Sequence, residues 1–191
     1  MTTLDLDALR DSIPDYARDL RLNLGSVLAP TGAPGLSEKQ IWGVAVASAI
    51  ASRNVDFARR IEELAAPHLD EAYLAAARSA AAIMGMNNIY YRFLHLVEEP
   101  EYAQLPARLR MNVIGSPGIE KLDFELLSLA VSAINGCGMC IVAHEKVLRK
   151  HDVSREAIQS AVRIAATIHA VAGVLEYSEA GAVSALAAAA A

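Results

Sequence analysis

The chain has 191 residues, 54% of them hydrophobic and only 5% aromatic, with a formal net charge of −5. That length fits one domain with a real core, and an acidic balance with scattered basic residues excludes nucleic acid as the main partner. No apolar run, Ile164 to Leu175 included, reaches the roughly 18 uninterrupted residues of a membrane span.

The apolar content is chiefly Ala, Leu, Val and Ile, and no run alternates at period two. Ala and Leu are strong helix formers, so the expected fold class is all-α. Positive mean hydropathy in such a chain predicts apolar helix faces buried between subunits, hence a homo-oligomer. Met1-Thr-Thr-Leu-Asp5 carries acid where an export signal carries base, so no signal peptide is read. The only two cysteines are three apart. They cannot staple a secreted scaffold, and in the cytosol such a pair is redox-active or metal-binding; a cytoplasmic address is expected.

In chain order, Asp5 to Ile13 reads as a short amphipathic helix. Pro14 suits the first turn of a second helix running to about Val27, with Tyr16, Leu20 and Leu24 at helical spacing. Pro30 to Gly35 is a loop joining an N-terminal arm, about residues 1–30, to the body. Ser37-Glu-Lys-Gln40 has the form of a capping box for a helix over Ile41 to Ser52. Asn54 caps the next helix, Pro67-His68-Leu69 breaks it, and Asp70 opens an Ala-rich helix toward Tyr91. Glu98 to Lys121, with Pro100, Pro106 and Pro117, is a long connection, and the body resumes at Asp123. Ala187 to Ala191 is expected to fray.

Ser48-Ala-Ile50 and Ser132-Ala-Ile134 lie 84 residues apart, each after an apolar helix. A helical unit is therefore read as duplicated, about 37–97 and about 121–186. In that register Arg53, Asp56 and Arg60 stand opposite Cys137, Cys140 and His144, so only the second copy carries chemistry.

That chemistry is concentrated in Asn135-Gly-Cys-Gly-Met-Cys140 and His144. Asn135-Gly136 ends the helix bearing Glu125 with residues that tolerate left-handed backbone, so the next helix starts near Cys137. At about 100° per residue, Cys137 and His144 are about 20° apart in projection, and Cys140 and His144 about 40°. Helix-start amides and a neighbouring imidazole both favour thiolate, and Glu125 can orient His144 or relay its proton. Two buried small residues, or a zinc site of Cys137, Cys140, His144 and Glu125, are the other readings of the same residues.

Phe124 to Glu145 resembles the active-site stretch of the alkyl hydroperoxide reductase AhpD family. Pro14-Asp-Tyr-Ala-Arg-Asp19, Ile83-Met-Gly-Met-Asn-Asn88 and Arg110-Met-Asn-Val-Ile114 agree with it. The resemblance implies an all-helical, duplicated, trimeric thiol peroxidase of alkyl hydroperoxides. It further implies a dihydrolipoamide-type dithiol on a lipoyl-bearing dehydrogenase subunit as electron donor, the peroxiredoxin AhpC as partner, and no bound cofactor. By position, Cys140 would be the peroxidatic thiol, and Cys137 the resolving thiol that exchanges disulfides with a partner. His144 and Glu125 would be the proton relay. Relatives carry a histidine immediately before the second cysteine, whereas this chain has Met139. A thioether carries no proton at neutral pH, so Glu125 and His144 are expected to suffice. A disulfide reductase without direct peroxidase activity, and a lactone decarboxylase on the same kind of fold, are the alternative activities.

The other histidines read as structural. His68 is expected in solvent, His95 at a helix end, His151 at a cationic helix C-terminus, and His169 in the core or an interface. Met84 and Met86 read as core packing, and Asn87, Asn88 and Tyr90 match the family without visible chemistry.

Overall fold

The structure, a computed structural model, describes residues 5–189, with side chains through Ser178. Met1 to Leu4 of the signal-peptide reading, and Ala190 and Ala191 of the terminal alanine run, lie outside the described residues. Among those residues the chain forms ten α-helices and no strand: α1 (Leu6–Asp11), α2 (Arg18–Val27), α3 (Glu38–Ala51), α4 (Val55–Ala65), α5 (Glu71–Leu96), α6 (Pro100–Gln104), α7 (Asn112–Gly115), α8 (Lys121–Ile134), α9 (Gly138–Lys150) and α10 (Arg155–Ala189).

Local chemistry explains most of the starts. Ser37 Oγ accepts from Gln40 N while Gln40 Oε1 accepts from Ser37 N, closing the capping box of α3. Asn54 accepts from Phe57 N at 2.8 Å and Asp70 from Tyr73 N at 2.8 Å, capping α4 and α5 as their residue types predict. Three expectations shift. Pro14 is extended and precedes a short 3-10 turn, Asp15–Ala17, so α2 begins at Arg18. Tyr16 consequently leaves the helical register and is exposed, whereas Leu24 is fully buried. The long connection folds into α6 and α7, and α5 continues past Tyr91 to Leu96.

The centre of the bundle is α3, apolar on all sides: Ile41 through Ala49 are buried without interruption. A helix with no polar face must be surrounded, and α3 packs against α4, α5, α8 and α10. On α8 the run Phe124 to Ser132 is buried in the same way. The segment Arg155–Ser178 of α10 is long and apolar enough to cross a membrane, with mean hydropathy 1.4. Its apolar side lies against α2, α3 and α8, with Ile164, Ile168 and Val171 fully buried, which is the pattern of a core helix. Gln40 Nε2 donates to Asp123 Oδ1 at 2.7 Å, tying the first turn of α3 to that of α8.

His68 is not in open solvent; its ring stacks on Trp42 with centroids 4.9 Å apart, and Nδ1 lies 3.2 Å from Glu38 Oε1. His169 is not core; it is exposed, with Nδ1 3.2 Å from Ser52 Oγ. The first follows from where the turn between α4 and α5 lies against α3, the second from the rotation of α10, and residue type reveals neither. His95 and His151 are exposed, His151 as the C-cap of α9.

Candidate functional site

The site begins with the end of α8. Gly136 has φ +65°, its N–H donates to Ala133 O, and the Cys137 N–H donates to Ser132 O. These two bonds form a Schellman motif, which satisfies the last carbonyls of α8 and reverses the chain. Cys137 then does a second job within the same residue. As N-cap of α9 it turns its sulfur back to accept from Cys140 N at 3.3 Å. One residue thus ends one helix and begins the next, so Cys137 is fully buried.

A hydrogen-bond chain to α5 fixes this turn. Asn88 Nδ2 donates to Ser132 Oγ at 2.9 Å, Asn135 Nδ2 donates to Asn88 Oδ1 at 3.0 Å, and Arg92 Nη1 donates to Asn135 O at 2.6 Å. Asn88 and Ser132 are buried, so the network is shielded from competing water and specifies where the α8–α9 corner sits. Sequence reading gave Asn135 only the end of a helix and gave Asn88, Arg92 and Ser132 no part in the site; the only signal was that buried-face positions of two apolar helices carried polar side chains.

Cys137 and Cys140 form a disulfide within the first turn of α9, with Cα atoms 5.3 Å apart. The chain is therefore seen in its oxidised state, and the sulfurs offer no thiolate pair to a metal in that state. One turn on, His144 Nδ1 lies 2.6 Å from Glu125 Oε2. Both side chains are largely buried, 13% and 8% exposed. With Nδ1–H donated to the carboxylate, the tautomer is fixed and Nε2 is left to exchange protons. All four sequence-predicted residues, Cys137, Cys140, His144 and Glu125, are thus brought together by α8 and α9.

The two sulfurs differ in access. Cys140 lines a cavity of about 230 Å³ between α5, α7 and α9, and His144 shares its wall. Cys137 does not line it. The rest of the wall is mainly apolar: Met84 and Tyr91 from α5, Ile114 from α7, Met111 just before it, and Met139 from α9. Met139 is 40% exposed at its edge. The core reading of Met84 holds for its burial, 2% exposed, but its helix face is also a wall of the site.

Fold and corner together define a class: an all-helical protein with a vicinal cysteine pair at a helix N-terminus, backed by a carboxylate–imidazole pair. Consistent with this, the Carboxymuconolactone decarboxylase family model matches residues 100–190. Closer relatives are more specific. The chain is 58% identical over 173 residues to the alkyl hydroperoxide reductase AhpD of Rhodospirillum centenum, covering 91% of each chain. It is likewise 58% identical over 173 residues to that of Gluconacetobacter diazotrophicus, covering 91% of this chain and 93% of the relative. With the AhpD of Brucella abortus it shares 53% identity over 176 residues, 92% of this chain and 99% of the relative. The chain belongs to the alkyl hydroperoxide reductase AhpD family.

Proposed function

We propose that the chain is a thiol-dependent peroxidase that reduces alkyl hydroperoxides through Cys140 and Cys137. The observation that carries the reading is the cavity: it presents Cys140 and His144 together on a mainly apolar wall, where an organic hydroperoxide can reach one sulfur and not the other. The Cys140 thiolate attacks the distal peroxide oxygen. The O–O bond breaks, the alkoxide takes a proton delivered through His144, and a sulfenic acid remains. Glu125 positions His144. The Cys137 thiol condenses with the sulfenic acid, releasing water and giving the disulfide seen here.

A dithiol of the dihydrolipoamide type then restores both thiols by exchange, itself becoming a cyclic disulfide. Attack at Cys140 fits access, and departure of Cys137 as a thiolate fits its cap position, where the Cys140 amide already donates to its sulfur. Exchange with a peroxiredoxin at Cys137 requires the first turn of α9 to open, because that sulfur is fully buried. The lipoyl-bearing dehydrogenase subunit and AhpC are the proposed protein partners, and the cytoplasm, which keeps such donors reduced, the proposed address.

The same reading includes an internal duplication. In support, α3 and α8, and then α4 and α9, start at an offset of 83 residues (Glu38 to Lys121, Val55 to Gly138), and the left-handed turn residues Arg53 and Gly136 share it. That offset matches cap with cap, Asn54 with Cys137, one residue away from the 84-residue register of the sequence motif. The proposed assembly is a homotrimer, supported by exposed Phe93, Leu96, Tyr102 and Leu105 around α5 and α6.

The test of the chemistry is a free-thiol titration of reduced protein before and after one equivalent of cumene hydroperoxide. Both thiols should disappear into one internal disulfide, and Cys140→Ser should abolish turnover. Thiols that survive, with full activity as a dithiol-driven reductant of a partner disulfide, would replace the peroxidase by a disulfide reductase.

A further inference from the structure

Two polar side chains in the cavity wall are left unused by the mechanism above, Tyr91 and Asn87; the Tyr91 hydroxyl donates to Met111 Sδ at 3.9 Å. Asn87 is 3% exposed, yet no group of the protein hydrogen-bonds its buried amide oxygen. Its neighbour on α5 shows what a structural asparagine does there: Asn88 donates to Ser132 and accepts from Asn135. Rotation by about 100° puts Asn87 on a different face, the one shared with Met84 and Tyr91 in the wall beside Cys140. A buried amide oxygen with no protein partner is a cost the fold carries unless water or a ligand satisfies it.

We propose that Asn87 is a catalytic residue that binds the hydroperoxide group itself, an inference that rests on the peroxidase reading. A hydroperoxide donates through its O–H; the thioethers around it are weak acceptors, and an amide oxygen is a stronger acceptor than the Tyr91 phenol, which shares the wall. With the Asn87 amide turned so that its oxygen faces the cavity, Oδ1 accepts that hydrogen bond and holds the distal oxygen toward the Cys140 sulfur, while the organic group lies against Met84, Met111 and Met139. In the reacting step the S–O bond forms as the O–O bond breaks. The electron pair leaves with the alkoxide, which takes its proton through His144; the sulfur is oxidised by two electrons and the peroxide reduced by two. The hydrogen on the distal oxygen stays there and becomes the sulfenic O–H, so the bond to Asn87 persists through the transfer. A cavity of about 230 Å³ exceeds the roughly 150 Å³ that accommodates a benzene ring, so the organic group it takes extends to aryl size.

The experiment compares two half-reactions in wild type, Asn87→Ala and Asn87→Ser. Oxidation of the reduced protein by cumene hydroperoxide is followed in a single turnover, and reduction of the oxidised protein by dihydrolipoamide is followed separately. Asn87→Ala should lower the ratio of the oxidation to the reduction rate constant about tenfold, the worth of one hydrogen bond. Asn87→Ser, which keeps a small acceptor, should recover part of it. An unchanged ratio, or two rate constants that fall together with the unfolding midpoint, overturns the role of Asn87 and leaves the peroxidase standing. A wild-type protein inert to hydroperoxide overturns both.

Discussion

Replacing Glu125 with Gln isolates the charge behind the imidazole. Glutamine preserves length and a carbonyl acceptor, so the His144 Nδ1–H still has a partner where Oε2 now lies, 2.6 Å away. What is lost is the increment between a charge-assisted hydrogen bond, about 1.5–3 kcal/mol, and a neutral one, about 1 kcal/mol. That difference of about 0.5–2 kcal/mol corresponds to roughly a 2- to 30-fold slower proton-dependent step. An upper limit comes from the bare Coulomb attraction at an effective dielectric of 20, about 4 kcal/mol at 4 Å, or roughly 10³-fold. The assay is single-turnover oxidation of the reduced thiols by cumene hydroperoxide, with equilibrium unfolding run beside it. Glu125→Ala should fall further, because it removes the positioning contact as well. A Glu125→Gln enzyme at the wild-type rate would refute the relay, and a loss of stability without loss of rate would make the pair structural.

Other perturbations read the fold and its pH dependence. A Cβ built on Gly43 would stand 2.3 Å from Tyr73 Cε1 and 3.3 Å from Leu127 Cδ2. Overpacking of about 1–3 kcal/mol or more then outweighs the ~1 kcal/mol of helix propensity gained, and Gly43→Ala should lower the urea midpoint. Asn54→Ala removes the cap of α4 and also the amide that donates to Ala172 O at 3.2 Å; a loss of about 2–3 kcal/mol by denaturant titration is expected. Asp70 is held below its ordinary 3.8, first by the Lys39 ammonium at 2.7 Å and then by the Tyr73 amide. A lowered folded value means this stability is complete above the unfolded value and is lost as pH falls through the folded one. Wild type should therefore be the more stable at pH 7, and its unfolding curve should converge on that of Asp70→Asn under acid.

Much of the molecule was written in short-range code. The capping contacts of Ser37 and Gln40, Asn54, Asp70 and Gly136 each span no more than about four residues, so those residue types alone placed the helix ends. The 3-10 turn after Pro14 was missed because Pro14, expected inside the first turn of α2, holds an extended ψ of 157°. The solvent expectation for His68 and the core expectation for His169 failed for a different reason: whether His68 meets Trp42, or His169 meets Ser52, depends on how one part of the chain packs on another, which no local pattern encodes.

By itself the order of residues determined an all-helical chain and the alignment of Cys140 with His144, because two positions on one helix are bound by its 3.6-residue turn, with Cys137 at its start. It also made Glu125 a candidate partner, one helix back. Only the packed bundle decided that Cys137 would be sealed beneath the corner while Cys140 faces a cavity, and that Asn87, some fifty residues earlier, would share its wall. Access to a sulfur is a property of the space between helices, and that space exists only after α5, α7 and α9 have met.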